Sequence, residues 1–163
     1  MARLQAYCDG SCPGARGPGG WAYAVVMENS GMSNLYGKGF APQTTNNEME
    51  VRAANELLKR LLYEDIGYEN ERITIWSDSK YCVYGFEVWR HKWAFEEFKR
   101  LGDKGKLELI PNANEWRTGH ELIEKFKDVK FRWVRGHVGH YWNERVDAMA
   151  GSAMKAGRRN MAV

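Results

Sequence analysis

The hydrophobic positions of the chain change their spacing from the period of a strand to that of a helix. Apolar runs at residues 3–8, 21–27 and 35–40 predict three strands, and the glycine-rich residues 9–20 predict a turn-rich connection between the first two. Residues 45–48 have the form of a capping box, and leucines at helical spacing follow them. This half of the chain predicts an antiparallel meander that leads into a long helix.

The second half of the chain alternates strands with helices. Residues 72–77 and 130–135 predict strands, while residues 79–101, 115–126 and about 143–155 predict helices, the last of which ends near Gly157. Residues 102–114 read as irregular. Because helices separate the last two strands, these strands should be parallel. The prediction is an α/β fold with a mixed five-stranded sheet, in which three antiparallel strands lead into parallel strands and helices flank the sheet.

Length and composition indicate a single folded domain over residues 1–163, with a core at about residues 3–155 and a short tail at 156–163. The sequence shows neither a secretion signal nor the roughly 20 consecutive apolar residues that a membrane helix needs, so we expect a cytoplasmic protein without a membrane partner. The three cysteines lack zinc-site spacing and are expected to be reduced. Nothing in the sequence indicates an obligate oligomer, and we expect a monomer.

Two acidic residues lie on helix faces that should be apolar. Glu50 precedes Ala54 by four residues and Leu57 by seven, which places it on the face that meets the sheet. Asp147 shares a face with Ala150 in the last predicted helix. A carboxylate that faces a core needs a partner, because burying an unpaired charge is costly.

Two further acids, Asp9 and Asp78, directly follow predicted strands, where ligand sites of α/β folds form. All four acids should therefore approach one edge of the sheet. Clustered carboxylates repel one another unless protons or a cation neutralise them, and ligation by oxygen alone selects Mg²⁺ or Mn²⁺ over zinc. Two such ions about 4 Å apart can support displacement at a phosphodiester. The acids thus indicate metal-dependent phosphoryl chemistry.

Five segments of the chain resemble ribonuclease H of type 1 in their order and spacing. They are Tyr7-Cys8-Asp9-Gly10-Ser11-Cys12, Gly17-Pro18-Gly19-Gly20, Thr44-Thr45-Asn46-Asn47-Glu48-Met49-Glu50, Ser77-Asp78-Ser79, and Gly136-His137-Val138-Gly139-His140 with Asn143-Glu144-Arg145-Val146-Asp147. The resemblance implies a ribonuclease H-like fold and hydrolysis of the RNA strand of RNA–DNA hybrids. The products would carry a 5′-phosphate and a 3′-hydroxyl.

The resemblance also implies a role for each acid. Asp9 would bridge two Mg²⁺ ions, with Mn²⁺ as an alternative metal. Glu50 and Asp78 would complete the coordination of the ion near the leaving group of the scissile phosphate, and Asp147 would help to hold the ion that activates water. His137 occupies the mobile histidine position of the family, where an ordinary imidazole pKa near 6.5 suits proton relay or product release.

The hybrid-binding residues follow from the same resemblance. Cys12, Gly14 and Asn46 would approach the RNA strand, and Thr45 and Asn47 would approach the DNA strand. Small polar groups of this kind suit contacts with 2′-hydroxyls in the wide minor groove. The alternative for Thr45 and Asn46 is that they only cap the helix, and both roles can coexist.

Other candidate contacts carry charge. Arg16 and Lys80 replace residues common in bacterial members, and we hypothesise that they contact phosphates. Trp89, Lys92 and Trp93 lie at the position of the family's basic protrusion, where cations would bind DNA phosphates without reading sequence. The alternative is a solvated helix face with both tryptophans in the core, and acidic residues dilute the charge of this stretch.

Two other functions are compatible with this fold. A hybrid-binding module without activity would show damage to the acidic set, which is intact in this sequence. An integrase- or transposase-like nuclease would act on DNA ends and would not need the groups that read a hybrid.

Overall fold

The computed structural model describes residues 3–27, 35–64, 67–136 and 139–161. Its elements in chain order are β1 (Arg3–Ser11), β2 (Gly17–Met27), β3 (Leu35–Thr44), α1 (Asn46–Tyr63), a 3-10 turn (Tyr68–Asn70), β4 (Arg72–Ser77), α2 (Lys80–Tyr84), a π-helical turn (Gly85–Trp89), α3 (Arg90–Phe95), β5 (Lys99–Leu101), β6 (Leu107–Leu109), α4 (Ala113–Ile123), β7 (Asp128–Trp133) and α5 (Tyr141–Met161).

Five strands form one mixed sheet in the spatial order β3-β2-β1-β4-β7. β2 is antiparallel to both β1 and β3, whereas β1, β4 and β7 are mutually parallel. This arrangement confirms the predicted fold class. Since β1 and β4 are parallel neighbours, their carboxyl ends meet at one edge of the sheet, and that edge carries Asp9 and Asp78.

The strands of the meander are longer than predicted. The pairing of β1 with β2 continues through Gly10↔Trp21 to Ser11↔Gly20, so that only residues 12–16 lie outside the two strands. Antiparallel pairing uses main-chain hydrogen bonds, which do not require an apolar side chain at every position. The glycine-rich stretch therefore belongs largely to the sheet and not to a loop.

Helices cover both faces of the sheet. Leu4, Ala6 and Cys8 of β1 belong to the larger core cluster, which includes most of the buried residues of α1 and α4. The alternate residue Tyr7 belongs to a smaller cluster with Ala22 and with buried residues of α5. The central strands are thus buried on both sides, with α1 on one face and α5 on the other.

The long helix predicted over residues 79–101 is wrong after Phe95. It is helical only to Phe95 and contains the π-helical turn. Glu97 and Phe98 then adopt positive φ angles of 56° and 59°, which reverse the chain and bury the Phe98 ring. β5 and β6 follow as a small antiparallel hairpin, with β5 at the end of the stretch predicted to be helical and β6 inside the stretch predicted to be irregular.

The last helix also differs from its prediction, since α5 continues to Met161 through most of the expected tail. Gly157 is not a helix end: a Cβ atom there would overlap the ring of Phe40, so the glycine allows α5 to pack on β3. Even with this length, no helix among the described residues is long and apolar enough to cross a membrane.

Candidate active site

Three of the four predicted acids form one cluster. Asp9, Glu50 and Asp78 each offer a carboxylate oxygen, and these oxygens lie within 4.8 Å of one another. Asp9 is 2% exposed and Glu50 is 4% exposed, while Asp78 is half-buried. Side chains of this charge are almost never so deeply buried without compensation.

The start of α1 places Glu50 against β1. The hydroxyl of Thr45 accepts a hydrogen bond from the main-chain N–H of Glu48 at 3.2 Å, which confirms the predicted N-cap. Gly10 lies beside Asp9, and a Cβ atom at Gly10 would overlap the main-chain nitrogen of Glu50. Only glycine allows the helix to approach the strand so closely, and this approach brings the two carboxylates together.

The fourth acid, Asp147, reaches the cluster from the opposite face of the sheet. It lies on α5, is partly exposed, and its carboxyl is within hydrogen-bonding reach of Asp9. A second close approach permits this contact, because a Cβ atom at Gly20 would overlap the carbonyl oxygen of Ala150 in α5. The four acids predicted from the sequence thus converge on the carboxyl end of β1.

The cluster favours protonated carboxyls when no metal is bound. Burial is the main cause that raises the pKa of Asp9 from 3.8 to about 9, and the charge of Asp78 and the hydrogen bond with Asp147 contribute to the same rise. Burial also raises the pKa of Glu50 well above its ordinary value, and the charge of Asp9 adds to the effect. The fold therefore holds these carboxyls in a setting that opposes their ionised form.

The donor set fits a hard divalent cation. Oxygen Oε2 of Glu50 is buried and has no hydrogen-bond partner among the described residues, so it is available as a ligand. All three clustered donors are carboxylates, and no histidine or cysteine belongs to the set. A divalent ion would compensate the repulsion and desolvation that raise the two pKa values.

Comparisons with known proteins show the family of this chain. The sequence profile of RNase H matches residues 1–155. The chain belongs to the RNase H family. It is 37% identical over 155 residues to the Ribonuclease H of Erythrobacter litoralis, covering 94% of this chain and 96% of that one. It is 38% identical over 153 residues to the Ribonuclease H of Pelobacter propionicus, with 93% and 84% covered.

Solved structures of the RNase H family share the fold. LC9-RNase H1, a type 1 enzyme with the type 2 active-site motif, has a TM-score of 0.77 at 29% identity, covering 96% of this chain and 74% of that one. LC11-RNase H1, solved in complex with an RNA/DNA hybrid, has a TM-score of 0.70 at 16% identity, covering 94% and 98%.

The loop that carries the family histidine is described only in part. His137 lies outside the described residues. His140 packs its ring on Tyr7 with centroids 5.2 Å apart, and its Nδ1 accepts a hydrogen bond from the main-chain N–H of Asn143 at 3.4 Å. His140 thereby joins the loop to both β1 and α5. His140 belongs to the sequence motif of this loop, but the resemblance implies no role for it.

Half of the ten predicted hybrid-binding residues line a single groove. Five of them, Gly14, Arg16, Thr45, Asn46 and Asn47, form one wall of an open groove of about 820 Å³. The thiol of Cys12 lies beside this wall, 3.4 Å from the carbonyl oxygen of Gly14 and 3.6 Å from that of Thr44. The structure therefore brings the predicted RNA and DNA contacts to one surface next to the acids.

The opposite wall of the groove was missed by the sequence analysis. It consists of residues 109–115, in and just after the stretch predicted to be irregular. Asn112 has a positive φ of 60° and donates a side-chain hydrogen bond to the hydroxyl of Tyr81 at 3.1 Å. Pro111-Asn112 is a turn signal in the sequence, but only the fold shows that this turn faces the β1–β2 connection.

Lys80 lies beside the acids and contacts an aromatic ring. Its ammonium is 4.8 Å from the centre of the Trp133 ring. The indole N–H of Trp133 in turn donates to the main-chain oxygen of Asp78 at 3.1 Å. Trp133 thus links Lys80 to a clustered acid, which the sequence analysis did not foresee.

The predicted basic protrusion separates into residues with different surroundings. Trp93 packs against the core and against the buried Trp116, with ring centroids 5.0 Å apart. Trp89 is 41% exposed, and the exposed Lys92 lies 3.9 Å from Glu96 in a surface ion pair. The alternative in which the tryptophans belong to the core is correct for Trp93, whereas Trp89 and Lys92 remain accessible to a ligand.

Proposed function

We propose that this chain is an endoribonuclease that hydrolyses the RNA strand of RNA–DNA hybrids and leaves 5′-phosphate and 3′-hydroxyl ends. The observation that carries the proposal is the buried carboxylate cluster of Asp9, Glu50 and Asp78, with Asp147 in reach, in a chain of the RNase H family. Burying such a cluster lowers the stability of the fold, so its presence is explained by a function that requires it.

The acids would hold two Mg²⁺ ions, for which Mn²⁺ could substitute. Asp9, Glu50 and Asp78 would ligate one ion, and Asp9 and Asp147 would ligate the other. Bound divalent ions supply an activated water and neutralise charge on the scissile phosphate. Gly10 and Gly20 hold the ligands in place by allowing both helices to approach the sheet. We further propose that His137 relays a proton or assists product release.

The groove beside the acids would receive the hybrid. Main-chain groups at Gly14 and the side chains of Cys12 and Asn46 would read the 2′-hydroxyls of the RNA strand. Thr45 and Asn47 on the same wall would contact the DNA strand.

Cationic groups around the groove would add phosphate contacts. Arg16 lines the groove, and Lys80 stands beside Asp78 on the face of Trp133. Trp89 and Lys92 would contact DNA phosphates, with Trp93 supporting them from the core side. The single domain over residues 1–163, the cytoplasmic location and the monomeric state remain predictions from the sequence.

A cleavage assay with three duplexes tests the proposal. Labelled RNA–DNA hybrid, double-stranded RNA and double-stranded DNA are incubated with Mg²⁺ or with EDTA, using wild type, Asp9→Asn and the exposed-acid control Asp103→Asn. We expect wild type and the control to cut only the hybrid, only with Mg²⁺, and Asp9→Asn to be inactive. Metal-independent cleavage or an active Asp9→Asn would refute the mechanism, and preference for DNA duplex would favour an integrase-like nuclease.

A further inference from the structure

A second recess lies on the α5 side of the sheet, away from the groove. It has a volume of about 400 Å³ and is formed by the start of α5 and the edge strand β3. Its main lining residues are Tyr36, Lys38, Tyr141, Trp142, Arg145 and Met149. None of the acids proposed to bind metal belongs to it. We call it the aromatic pocket.

The aromatic pocket combines exposed rings with positive charge. Tyr36 is 61% exposed and Tyr141 is 67% exposed, and the Tyr141 ring meets Trp142 edge-on at 5.0 Å. Lys38 and Arg145 supply two cations, and none of the described lining residues is acidic. Three aromatic rings beside two cations are typical of surfaces on which bases stack while the cations neutralise the backbone.

Among the described residues, the neighbouring acid forms no ion pair with these two cations. Glu144 precedes Arg145, but its carboxylate accepts a hydrogen bond from the main-chain N–H of Gly139 at 3.0 Å. Lys38 donates to the hydroxyl of Ser152 at 2.8 Å, which positions its ammonium without neutralising it. Among the described residues, Arg145 forms no ion pair. The pocket therefore keeps its positive charge available for an anionic ligand.

The sheet connects the aromatic pocket with the carboxylate cluster. Asp9 pairs with Ala22, and Ala22 pairs with Lys38, so these three residues form one row on the same face of the sheet. Two strand spacings separate the ends of the row, so the Cα atoms of Lys38 and Asp9 lie about 10 Å apart. The first turns of α5 also join the two places, because they carry both Arg145 and Asp147. A nucleic-acid strand bound at the carboxylate cluster would therefore be able to continue into the aromatic pocket.

We propose that the aromatic pocket binds an unpaired nucleotide of the RNA strand where that strand continues beyond the hybrid. The inference rests on the proposed function, since the RNA strand is the one that the carboxylates would hold. The base stacks against both Tyr36 and Tyr141, and the phosphate lies between Lys38 and Arg145. A peptide would not use both features, because apolar peptides gain nothing from the cations and acidic peptides gain little from three rings.

Binding of extended hybrids tests the inference. A blunt hybrid, the same hybrid with several unpaired nucleotides on the RNA strand, and one with the extension on the DNA strand are titrated in EDTA by fluorescence anisotropy. One stacked base raises affinity about fivefold or more. We expect the RNA extension to tighten binding by at least this factor, and Tyr36→Ala and Tyr141→Ala to remove the gain.

Matched variants keep the result interpretable. Tyr63→Ala removes an even more exposed tyrosine from α1, far along the chain from the pocket, and should retain the full gain. Arg145→Gln should reduce the salt slope of the extended hybrid relative to the blunt one by about 0.7, the value for one phosphate contact on a single strand. The inference is overturned if the RNA extension gives no gain, if only the DNA extension gives one, or if Tyr36→Ala retains it.

Cleavage of the blunt hybrid with Mg²⁺ separates this inference from the proposed function. We expect Tyr36→Ala, Tyr141→Ala and Tyr63→Ala to cut the blunt hybrid at the wild-type rate, because none of these exposed residues lines the groove. If wild type cuts the blunt hybrid but the RNA extension does not change the binding affinity, only the proposed role of the aromatic pocket is refuted. Failure of wild type to cut the blunt hybrid would refute the proposed function.

Discussion

Replacing Asp9 by asparagine should stabilise the metal-free protein while it abolishes activity. The buried carboxyl of Asp9 carries a pKa of about 9 because of burial, the charge of Asp78 and the hydrogen bond with Asp147. Asparagine has nearly the same shape and cannot ionise. The substitution therefore removes the cost of keeping an acid at this position and should retain the packing.

The sign and size of the effect follow from proton linkage. In the unfolded chain the carboxyl ionises near pH 3.8, whereas in the folded chain it stays protonated until about pH 9. Between these values the folded state binds one more proton, so the free energy of unfolding falls by 1.36 kcal/mol for each pH unit. About three such units separate pH 3.8 from pH 7, which makes the cost about 4 kcal/mol. This value is a ceiling, because a buried amide also loses hydration.

Urea unfolding in EDTA at several pH values measures this effect. We expect Asp9→Asn to exceed wild type by about 1 to 4 kcal/mol at pH 7, and by less at pH 5.5. Wild type should lose stability from pH 5 to pH 8.5 more steeply than the variant does. Asp103→Asn removes an acid from the exposed turn of the hairpin and should follow the wild-type curve.

Two outcomes would contradict this reasoning. Equal stability of wild type and Asp9→Asn at every pH would mean that the carboxyl is not forced into its protonated form. A variant that is less stable than wild type at pH 7 in EDTA would mean that the acid contributes favourable contacts that outweigh desolvation. The first outcome would place the pKa of Asp9 close to its ordinary value.

Three further predictions concern the residues around the acids. Trp133→Phe removes the N–H that holds Asp78 and should weaken the apparent Mg²⁺ affinity about two- to tenfold in a cleavage titration, with KM for the hybrid unchanged. Gly20→Ala should destabilise the fold by about 1 to 3 kcal/mol in urea and reduce activity, whereas Gly151→Ala on the open side of α5 should be neutral or stabilising. Lys80→Ala should lower the salt slope of hybrid binding by about 0.9 if the ammonium contacts one phosphate, and an unchanged slope would count against that contact.

The carboxylate cluster could be predicted because each acid is placed by local periodicity. Glu50 is turned inward by helical spacing after a cap that the sequence shows at Thr45, and Asp78 follows a strand whose ends were predicted correctly. Asp9 differs slightly, since it lies within β1 and not after it. Its position relative to Glu50 depends on Gly10, and the sequence shows the glycine but not the clash that it avoids.

Features that depend on contacts between distant segments could not be predicted. The turn at Glu97 and Phe98 interrupts a stretch with helical periodicity, because burial of the Phe98 ring outweighs the local preference of both residues for negative φ. Gly157 is a local signal for the end of a helix, but α5 continues through it because the glycine packs on Phe40. In each case tertiary packing decides against the local signal.

The instability of the metal-free site and its affinity for metal have the same physical origin. A divalent ion binds the ionised form of Asp9, so it must first displace the proton that burial retains, and it then removes the repulsion among the acids. Because the ion binds the folded state, Mg²⁺ should raise the free energy of unfolding of wild type as its concentration rises. Asp9→Asn should gain much less from Mg²⁺, since it lacks the ligand shared by both proposed ions. The free energy of unfolding of Asp9→Asn should therefore depend little on Mg²⁺, whereas that of wild type depends on it strongly. An acid at position 9 is thus explained by the need to bind the ion and not by the stability of the fold.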